Sequence, residues 1–306
     1  MDIRQLKYFV CIVDCGSLSK AAEQLFVAQP SLSQQVIGLE SELRTQLLIR
    51  SHQGIKPTEA GRTLYLRARD VLRQIAQIPL EVRVNSTESG QVVIGFPTSV
   101  AAVFALPLYT HVRRYLPGIR LHLVEGMSGY LAELMANGRL DMAILFREAE
   151  TRGVSVKPLL EENLYVFGQI KGIRAGADVS LRQLAGVPLV LPGMANGLRL
   201  LLERAFVREG IEPEVIADID SLPTMLSIAR QGDSVTIISP DAFGSTVDQS
   251  LVHRLVNPGI SRAVALCVPN ALPTSAASLA LQKVIVQLVA DLVESGAWKG
   301  ATRAPA

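Results

Sequence analysis

Residues 17–43 constrain the fold of this chain more than any other stretch. Residues 17–25 and 29–43 are predicted to form two short helices separated by a tight turn, and Pro30 suits the first position of the second helix, where no backbone N–H is needed. Apolar residues recur in the second helix at spacings of 4, 3 and 4, so they share one face. They are Leu32, Val36, Leu39 and Leu43. The pattern predicts a helix pair that packs through this face against further structure.

The opposite face of the second helix carries small, uncharged side chains that can form hydrogen bonds. It contains Pro30, Ser33, Gln34, Ile37 and Ser41. A glutamine can pair bidentately with adenine, and an apolar side chain can contact a thymine methyl group. This face therefore suits a recognition helix in the DNA major groove; an ordinary surface helix rich in serine and glutamine is the alternative. The residues of this segment that are predicted to contact DNA are Gln29, Pro30, Ser31, Ser33, Gln34 and Ile37.

The flanking segments complete a small domain. Asp2 can cap a first helix with Gln5 as its capping-box partner, and Gly16 can end that helix. Downstream, the apolar runs 47–50 and 55–57 flank a turn-forming segment and predict a β-hairpin. Three helices followed by such a wing form a winged helix-turn-helix. Three residues on or near the loop of the wing are predicted to contact DNA: Arg50, His52 and Lys56. Of these, Arg50 and Lys56 cluster with Arg62 where phosphates would lie.

A long helix is predicted after Thr58, which suits its N-cap. Apolar residues within it recur at alternating spacings of 4 and 3, as in the seam of a coiled coil. These residues are Leu64, Ala68, Val71, Ile75, Ile78 and Val82. The alternative is a helix that packs on its own domain. Because Pro79 removes one backbone hydrogen bond, the helix is expected to kink or end near that residue.

From residue 91 onward the pattern changes to short strands that alternate with helical segments. Tandem units of this kind predict parallel α/β structure in two lobes. A final amphipathic helix is expected over residues 275–293, and the tail 301–306 is expected to have little to anchor it.

The N-terminal motifs together resemble the DNA-binding half of the LysR-type transcriptional regulators. The elements that carry the resemblance are Leu6-Lys-Tyr-Phe9, Gly16-Ser-Leu18, Ala21-Ala22, Ala28-Gln-Pro30, Leu32-Ser33, Leu39-Glu40, Leu47-Leu48, Arg50 and Pro57-Thr-Glu-Ala-Gly61. Within that family the chain is similar to the nitrogen assimilation control regulators. The narrower likeness rests on Ser33-Gln-Gln-Val36, Gln46-Leu-Leu-Ile-Arg50, Leu140-Asp-Met-Ala143, Pro158-Leu-Leu160 and Asn163-Leu-Tyr165.

The resemblance implies an all-α winged helix-turn-helix, a long linker helix that pairs two subunits, and an α/β effector domain. That domain would have two Rossmann-like lobes similar to periplasmic solute-binding proteins. The implied bounds are 1–58 for the DNA-binding domain, 59–90 for the linker helix and hinge, and 91–306 for the effector domain, with lobe I at 91–161 and 262–297 and lobe II at 162–261. The seam residues would then lie between the subunits of a homodimer or homotetramer: Leu64, Ala68, Val71, Ile75 and Ile78.

The same resemblance implies a small-molecule site in the cleft between the lobes. Strand ends and helix N-termini point inward there, and their exposed N–H groups favour anions, so a small anionic metabolite is the expected effector. The residues at the matching positions are Thr98, Ser99, Ser128, Arg147, Asn196 and Arg199. The alternative role of the serines is to cap helices, and that of the arginines is to be solvated surface charges.

Composition and charge limit the function classes. Residues 1–90 contain 11 Lys/Arg and 9 Asp/Glu, a balance of +2 that equals the whole chain's, so a DNA role rests on pattern rather than on a basic excess. Three cysteines are too few for a disulfide framework, and the 4 histidines are scattered. The sequence contains no nucleophile, phosphate-loop or metal-ligand motif, so no catalysis, cofactor or metal is expected.

The chain is expected to be cytoplasmic, without membrane contact. Asp2, Arg4 and Lys7 argue against a secretory signal, and no run approaches the roughly 18 apolar residues of a membrane span. The sequence therefore predicts a regulator that binds double-stranded DNA at an interrupted inverted repeat, with RNA polymerase as a further candidate partner. A LysR-type regulator that acts without an effector and a solute-binding sensor without a DNA role are the alternatives.

Overall fold

The computed structural model describes residues 1–51, 54–83, 89–147, 153–194, 196–244, 247–270 and 274–304, without the side chains of residues 73, 76, 77 and 79–83. The chain divides into two compact units, Met1–Ser86 and Thr87–Ala306. His52, predicted at the wing, lies outside the described residues, and so does the side chain of Val82, predicted in the seam.

The first unit consists of four helices and a hairpin. The predicted capping box is present, because Gln5 N donates to the Asp2 carboxylate at 2.7 Å and Asp2 N donates to the Gln5 side chain at 3.0 Å. Gly16 ends the first helix with a φ of 60°, a left-handed conformation that glycine adopts without steric cost. The elements are α1 (Ile3–Cys15), α2 (Leu18–Leu25), α3 (Gln29–Leu43), β1 (Leu48–Ser51), β2 (Gly54–Pro57) and α4 (Glu59–Arg83).

The predicted inner face of α3 lies in the core of this unit. Leu32, Val36 and Leu39 are buried in one cluster with Phe9 of α1. The prediction for Leu43 is wrong, since 38% of this residue is exposed. The helix ends at Leu43 and the chain turns away from it, so the last turn of α3 extends beyond the core.

The hairpin is present as predicted, with β1 and β2 paired antiparallel. Ile55 N donates to the carbonyl of Gly16 at 2.8 Å, which connects the wing to the end of α1. Thr58 then caps α4, because its Oγ1 accepts a hydrogen bond from Gly61 N at 3.0 Å. The winged helix-turn-helix is therefore confirmed.

The fourth helix is a single element of 25 residues that continues through Pro79 to Arg83. Of the two outcomes expected near Pro79, a kink or an end, the end does not occur, because the loss of one backbone hydrogen bond does not outweigh the remaining ladder. Near its start α4 is bonded to α1. The Tyr65 hydroxyl donates to the Asp14 carboxylate at 2.5 Å, and Arg69 donates to the Tyr65 hydroxyl at 2.8 Å.

The apolar seam of α4 begins later than predicted. Ala68 is only 1% exposed within the protomer and Leu64 packs against the core of the first unit, so these two residues pack on their own domain. Val71 is 41% exposed and Ile78 is 54% exposed, and Ile75 between them is half-buried. The exposed apolar face of α4 therefore starts at Val71.

The second unit contains two lobes, each built on β-structure with helices packed against it. In chain order its elements are β3 (Gly90–Phe96), α5 (Thr98–Tyr115), β4 (Ile119–Glu125), α6 (Ser128–Ala136), β5 (Met142–Phe146), β6 (Val154–Asn163), β7 (Tyr165–Phe167), β8 (Leu189–Leu191), α7 (Gly197–Glu209), β9 (Val215–Asp218), α8 (Leu222–Arg230), β10 (Thr236–Ile238), β11 (Val252–Arg254), β12 (Ser261–Pro269), α9 (Ala276–Glu294) and β13 (Ala301–Arg303).

Lobe I has a mixed six-stranded sheet in the order β13-β6-β12-β5-β3-β4. Strands β3, β4 and β5 are parallel, as predicted, whereas β6, β12 and β13 pair antiparallel with their neighbours. Lobe II has an antiparallel set, β10-β7-β11, and a parallel pair, β8-β9. The chain passes between the lobes after Asn163 and again before Ser261, close to the predicted crossings.

The C-terminal segment is part of lobe I. Thr302 of β13 lies opposite Glu161 of β6 in the register, so the expectation of an unanchored tail is wrong for residues 301–303. Trp298 just before this strand is buried, and its indole Nε1 donates to the Glu162 carboxylate at 3.2 Å. One buried tryptophan supplies the large contact area that the tail itself lacks.

Among the described residues, one helix is long and apolar enough to cross a membrane when judged by length and composition alone. This helix is α9, whose apolar sequence is interrupted by Gln282, Lys283 and Asp291. In the fold, Leu281, Ile285 and Val289 of α9 are buried in the core of lobe I. The apolar character of α9 therefore supplies core packing.

A buried ion pair lies where the chain passes between the lobes. Arg262 of β12 and Glu162 of β6 are opposite each other in the register, and Nε and Nη2 of Arg262 lie 2.8 Å and 2.7 Å from Oε2 of Glu162. Nη2 also donates to Ser99 Oγ of α5 at 3.0 Å and to Ser239 Oγ of lobe II at 3.3 Å. The pair thus connects both lobes through bonds that are costly to break in a buried site.

Asp241 lies beside this ion pair, in the short 3-10 turn Pro240–Phe243 of lobe II. Its carboxylate accepts a hydrogen bond from Lys299 N at 2.9 Å. Burial, and secondly the negative charge of Glu162, raise the pKa of Asp241 from 3.8 to about 6. The folded chain therefore holds this proton more tightly than the unfolded chain does.

We predict that Asp241→Asn gains stability relative to the wild type as the pH rises. The stabilisation from the Asp241 proton is complete below about pH 4 and is lost as the pH rises through about 6. Above about pH 7 the variant should be more stable by about 1–2 kcal/mol. This is less than the ~3 kcal/mol that a pKa rise from 3.8 to about 6 implies at ~1.4 kcal/mol per pKa unit, because the carboxyl group is partly solvated. Urea unfolding over this pH range measures the difference.

Asp248→Asn is the matched control. Hydrogen bonds from Ser250 lower the pKa of Asp248, so its carboxylate stabilises the fold at neutral pH and this variant should gain nothing as the pH rises. A stability difference between Asp241→Asn and wild type that does not change with pH would contradict the prediction.

Candidate functional site

The outward face of α3 is uncharged over its first turns. Ser33 is half-buried and the other predicted contact residues of this segment are exposed. Ala28 at the N-cap has no side-chain hydrogen bond to offer and Pro30 lies in the first turn, so within the described residues no side chain caps this end. The first N–H groups of α3 are therefore available to an anion such as a phosphate.

The wing places a guanidinium group against this face. Nη2 of Arg50 donates to Ser33 Oγ at 3.3 Å, and both Arg50 and Lys56 are exposed. Sequence analysis placed Arg50 on the wing but missed its bond to Ser33, because residues so far apart in sequence give no local signal. Short hydrogen-bonding groups on a helix, with cations beside it, can contact base edges and phosphates together.

A second candidate site is a cavity of about 70 Å³ between the lobes. It is much smaller than the roughly 300–1,000 Å³ of typical ligand pockets. Most of its wall is apolar, and the polar lining residues are Thr98, Ser99, Ser128, Asn196, Asp220 and Arg262. Four of the six predicted effector residues are thus brought together here.

The two helices of lobe I that begin at this cavity have uncapped N-termini. Pro97 is the N-cap of α5 and Met127 is the N-cap of α6, and in this described region neither has a side-chain cap hydrogen bond. Thr98 and Ser128 are therefore the first helical residues rather than caps, and the alternative role of the serines is wrong. The dipoles of both helices favour a negative group in the cavity.

Asn196 reaches the cavity from lobe II. It caps α7, because its Oδ1 accepts from Leu198 N at 2.9 Å, and its Nδ2 lies 3.8 Å from the Met127 sulfur of lobe I. This residue spans the cleft and can respond to changes in lobe separation.

The two arginines predicted in the effector site lie elsewhere. Arg147 directly follows Phe146, the last residue of β5, and it lies near Cys267 rather than in the lining of the cavity. There its charge partly offsets the effect of burial, which raises the pKa of Cys267 to about 11.

Arg199 is buried in lobe II and stabilises the loop between β8 and α7. Its Nη1 donates to the Pro192 carbonyl at 3.1 Å and to the Asp218 carboxylate at 2.6 Å, and its Nε donates to Glu203 at 2.5 Å. Its pKa is raised because these hydrogen bonds and charges outweigh burial, the largest single effect, which lowers it. The arginine is thus neither an effector ligand nor a solvated charge.

Two charged residues line the cavity among the described residues, Arg262 and Asp220, and neither was predicted from the sequence. Asp220 follows β9, and its carboxylate accepts from Gly193 N at 3.0 Å. The rule that ligands bind at the carboxyl ends of strands could have identified it. No local signal identifies Arg262, because its partners are Glu162, Ser99 and Ser239.

Within the described part of the chain, no group of three or more His, Cys, Asp or Glu side chains is placed to hold a metal ion. The three cysteines are free thiols. The sulfur atoms of Cys11 and Cys15 are 4.0 Å apart on α1. Burial, and secondly the proximity of Cys15, raise the pKa of Cys11 to about 11, so Cys11 stays protonated at neutral pH.

Comparison with known families matches both units. Residues 3–62 match the bacterial regulatory helix-turn-helix proteins of the lysR family, and residues 85–290 match the LysR substrate binding domain. The nitrogen assimilation regulatory protein nac of Escherichia coli K12 is 36% identical over 304 residues, which cover 98% of this chain and 99% of that protein. The regulator BbuR of Bordetella bronchiseptica is 29% identical, with coverage of 98% and 94%.

Solved structures agree on the fold. A full-length OxyR variant from Pseudomonas aeruginosa has a TM-score of 0.71 at 22% identity and covers 100% of this chain and 99% of its own. Full-length CbnR complexed with its target DNA has a TM-score of 0.57 at 20% identity, with coverage of 94% and 100%. The chain therefore belongs to the LysR family: it is a DNA-binding transcriptional regulator with an N-terminal helix-turn-helix domain and a C-terminal effector-binding domain.

Proposed function

We propose that α3 enters the major groove, with Gln29, Ser33 and Gln34 contacting base edges. The other α3 residues named above would contact sugar or thymine methyl groups. Arg50 and Lys56 would contact the backbone or the minor groove from the wing. The observation that carries this proposal is the bond from Arg50 to Ser33, which places a guanidinium group beside the uncharged face of α3.

We infer that two subunits pair through α4. An exposed apolar face that includes Val71 and Ile78 is unfavourable in water and is buried when a second α4 packs against it. Two recognition helices on a symmetric dimer meet half-sites about one helical turn, or a multiple of it, apart. The operator would be an interrupted inverted repeat, and a homotetramer of two such dimers would cover two of these repeats.

We propose that the interlobe cavity binds a small metabolite that carries a carboxylate group. The uncapped N-termini of α5 and α6 and the hydroxyl groups of Thr98 and Ser128 support this proposal. The guanidinium group of Arg262 is already paired with Glu162, so the helix N-termini would supply most of the attraction. A ligand shifts such a regulator only through different affinities for its two arrangements, here differing in lobe closure.

Regulation without an effector is the second candidate. The small cavity volume favours it, because bonds between protein groups already fill much of the cleft. The similarity to the nitrogen assimilation regulatory protein nac makes nitrogen assimilation genes candidate targets. In both cases the protein would act on promoters in the cytoplasm with RNA polymerase as partner, and we propose no catalytic role.

The first prediction for this function concerns base recognition. Gln34→Ala should relax sequence preference, since a good bidentate contact contributes about 1–3 kcal/mol of discrimination. Arg50→Ala should weaken binding to all sequences and reduce the salt dependence by about one counterion. Fluorescence anisotropy with an operator and its base-substituted versions at several salt concentrations measures both effects. Unchanged affinity and specificity in Gln34→Ala would show that the orientation of α3 is wrong.

The second prediction concerns the dimer. Val71→Glu would bury a carboxylate in an apolar seam at a cost of several kcal/mol, so this variant should be monomeric and should lose binding to a two-half-site operator. Thr63→Glu adds the same charge at an exposed position of α4 before the seam and should remain dimeric. Light scattering measures the oligomeric state of both variants. A dimeric Val71→Glu protein would refute pairing of two subunits through this face of α4.

The third prediction concerns the effector. Calorimetry against small carboxylates and amino acids should identify a ligand whose binding Ser128→Ala weakens about tenfold, the loss of one charge-assisted hydrogen bond. Ser250→Ala, an exposed serine outside the cavity, should bind it as the wild type does. If no compound binds and the purified protein is fully active at its promoter, the second candidate is correct.

A further inference from the structure

Phe26 is the most exposed large apolar side chain among the described residues, at 95%. It occupies the turn between α2 and α3, where its neighbours Leu25 and Val27 are half-buried against the core of the first unit. Burial therefore gives no reason for an aromatic residue at this position.

The backbone gives no such reason either. Phe26 has a φ of 54°, in the left-handed region. It occupies the position that closes a helix C-terminus: its N–H donates to the Glu23 carbonyl at 3.2 Å, and Val27 N donates to the Ala22 carbonyl at 3.0 Å. Glycine or asparagine usually fills this position, because a bulky side chain in the left-handed region is strained.

The location of this turn gives the ring a surface to contact. In a helix-turn-helix the N-terminal residues of the second helix contact base edges while the first helix crosses the DNA backbone. The turn between them therefore stands at the wall of the major groove. Phe26 precedes Gln29, the first residue of α3, by three positions.

The side chains of α3 that face outward near its start are short and polar, apart from Pro30. They provide no contact to the apolar surface of the groove wall at the turn itself, because the contacts proposed above for Pro30, Ser31 and Ile37 lie along α3. That surface consists of thymine C5-methyl groups and deoxyribose rings, and aromatic residues are among the side chains that contact the thymine methyl group.

We propose that Phe26 is a DNA-contacting residue whose ring packs against this apolar surface at the edge of each half-site. The proposal rests on the proposed DNA-binding face of α3. It explains why a residue that is strained in the fold and contributes nothing to the core stands at this turn. A contact to a thymine methyl group would make Phe26 a determinant of sequence preference.

The test uses the full-length protein and three variants. Phe26→Asn removes the ring and relieves the left-handed strain, so its melting temperature should be equal to or above that of the wild type while its affinity for the operator falls about tenfold. The slope of log affinity against log salt should stay unchanged, because an apolar contact releases no counterions. Phe26→Tyr keeps the ring and should bind within about threefold of the wild type.

Operators in which uracil replaces each thymine distinguish the two apolar surfaces. If the ring contacts a methyl group, one replacement should weaken operator binding by the wild type but not by Phe26→Asn. If the ring contacts deoxyribose, no replacement should weaken wild-type binding, and Phe26→Asn should still bind the unmodified operator less tightly than the wild type does.

Gln34→Ala separates failure of this proposal from failure of the recognition face. Wild-type affinity in Phe26→Asn, together with weakened binding in Gln34→Ala, overturns the role of Phe26 alone. Wild-type affinity in both variants overturns the recognition face and the role of Phe26 with it. If Phe26→Asn and Phe26→Tyr lose operator affinity equally, the proposal that the ring makes the contact is wrong.

Discussion

Two opposite charges, on Arg262 and Glu162, face each other in the register of β12 and β6 with almost no access to water. Removing them from solvent costs several kcal/mol each, and only a well-bonded geometry compensates for that cost. Here the compensation comes from both lobes: Ser99 and Ser239 accept from the guanidinium group, and the ring of Phe146 lies 3.5 Å from it. Because β6 and β12 are also the strands beside the two crossings, this pair helps to fix the position of lobe II relative to lobe I, together with the bond from Lys299 N to Asp241.

This dependence limits how the domain can respond to a ligand. A molecule in the cavity lies against a guanidinium group whose charge is already balanced, so it gains little from displacing Glu162 and leaving a buried carboxylate unpaired. Opening of the lobes would separate Ser99 from Ser239 and break one of the bonds of Arg262. An effector that binds in this cavity would therefore be coupled to lobe closure through the hydrogen bonds of Arg262, and the coupling would act in either direction.

Sequence patterns predicted the parts of this molecule that local spacing determines. The caps, the three N-terminal helices, the hairpin and most strands follow from periods of 3.6 and 2 and from turn residues. The predictions that were wrong concern features that depend on contacts between segments far apart in the sequence. Phe146 lines the cavity in place of Arg147, Arg262 has partners that lie far away in sequence, and Trp298 holds a tail that looked unattached. Ala68 has the spacing of a seam residue, and only the packing of α4 against its own domain shows that it is buried in the protomer.

In the DNA-binding unit, too, the geometry depends on contacts between residues that are far apart in the sequence. Several of these contacts meet at the last turn of α1. Asp14 of that turn accepts from Tyr65 at the start of α4, and Gly16 just after it accepts from Ile55 of the wing. Burial, and secondly the bond to Asp14, raise the pKa of Tyr65, so this hydroxyl remains a donor at neutral pH. The wing in turn contacts α3 through the bond from Arg50 to Ser33. A short segment of α1 thus connects α4, the proposed dimer helix, with the groups proposed to contact DNA. The spacing of half-sites that a dimer accepts should depend on these bonds as much as on the apolar seam itself.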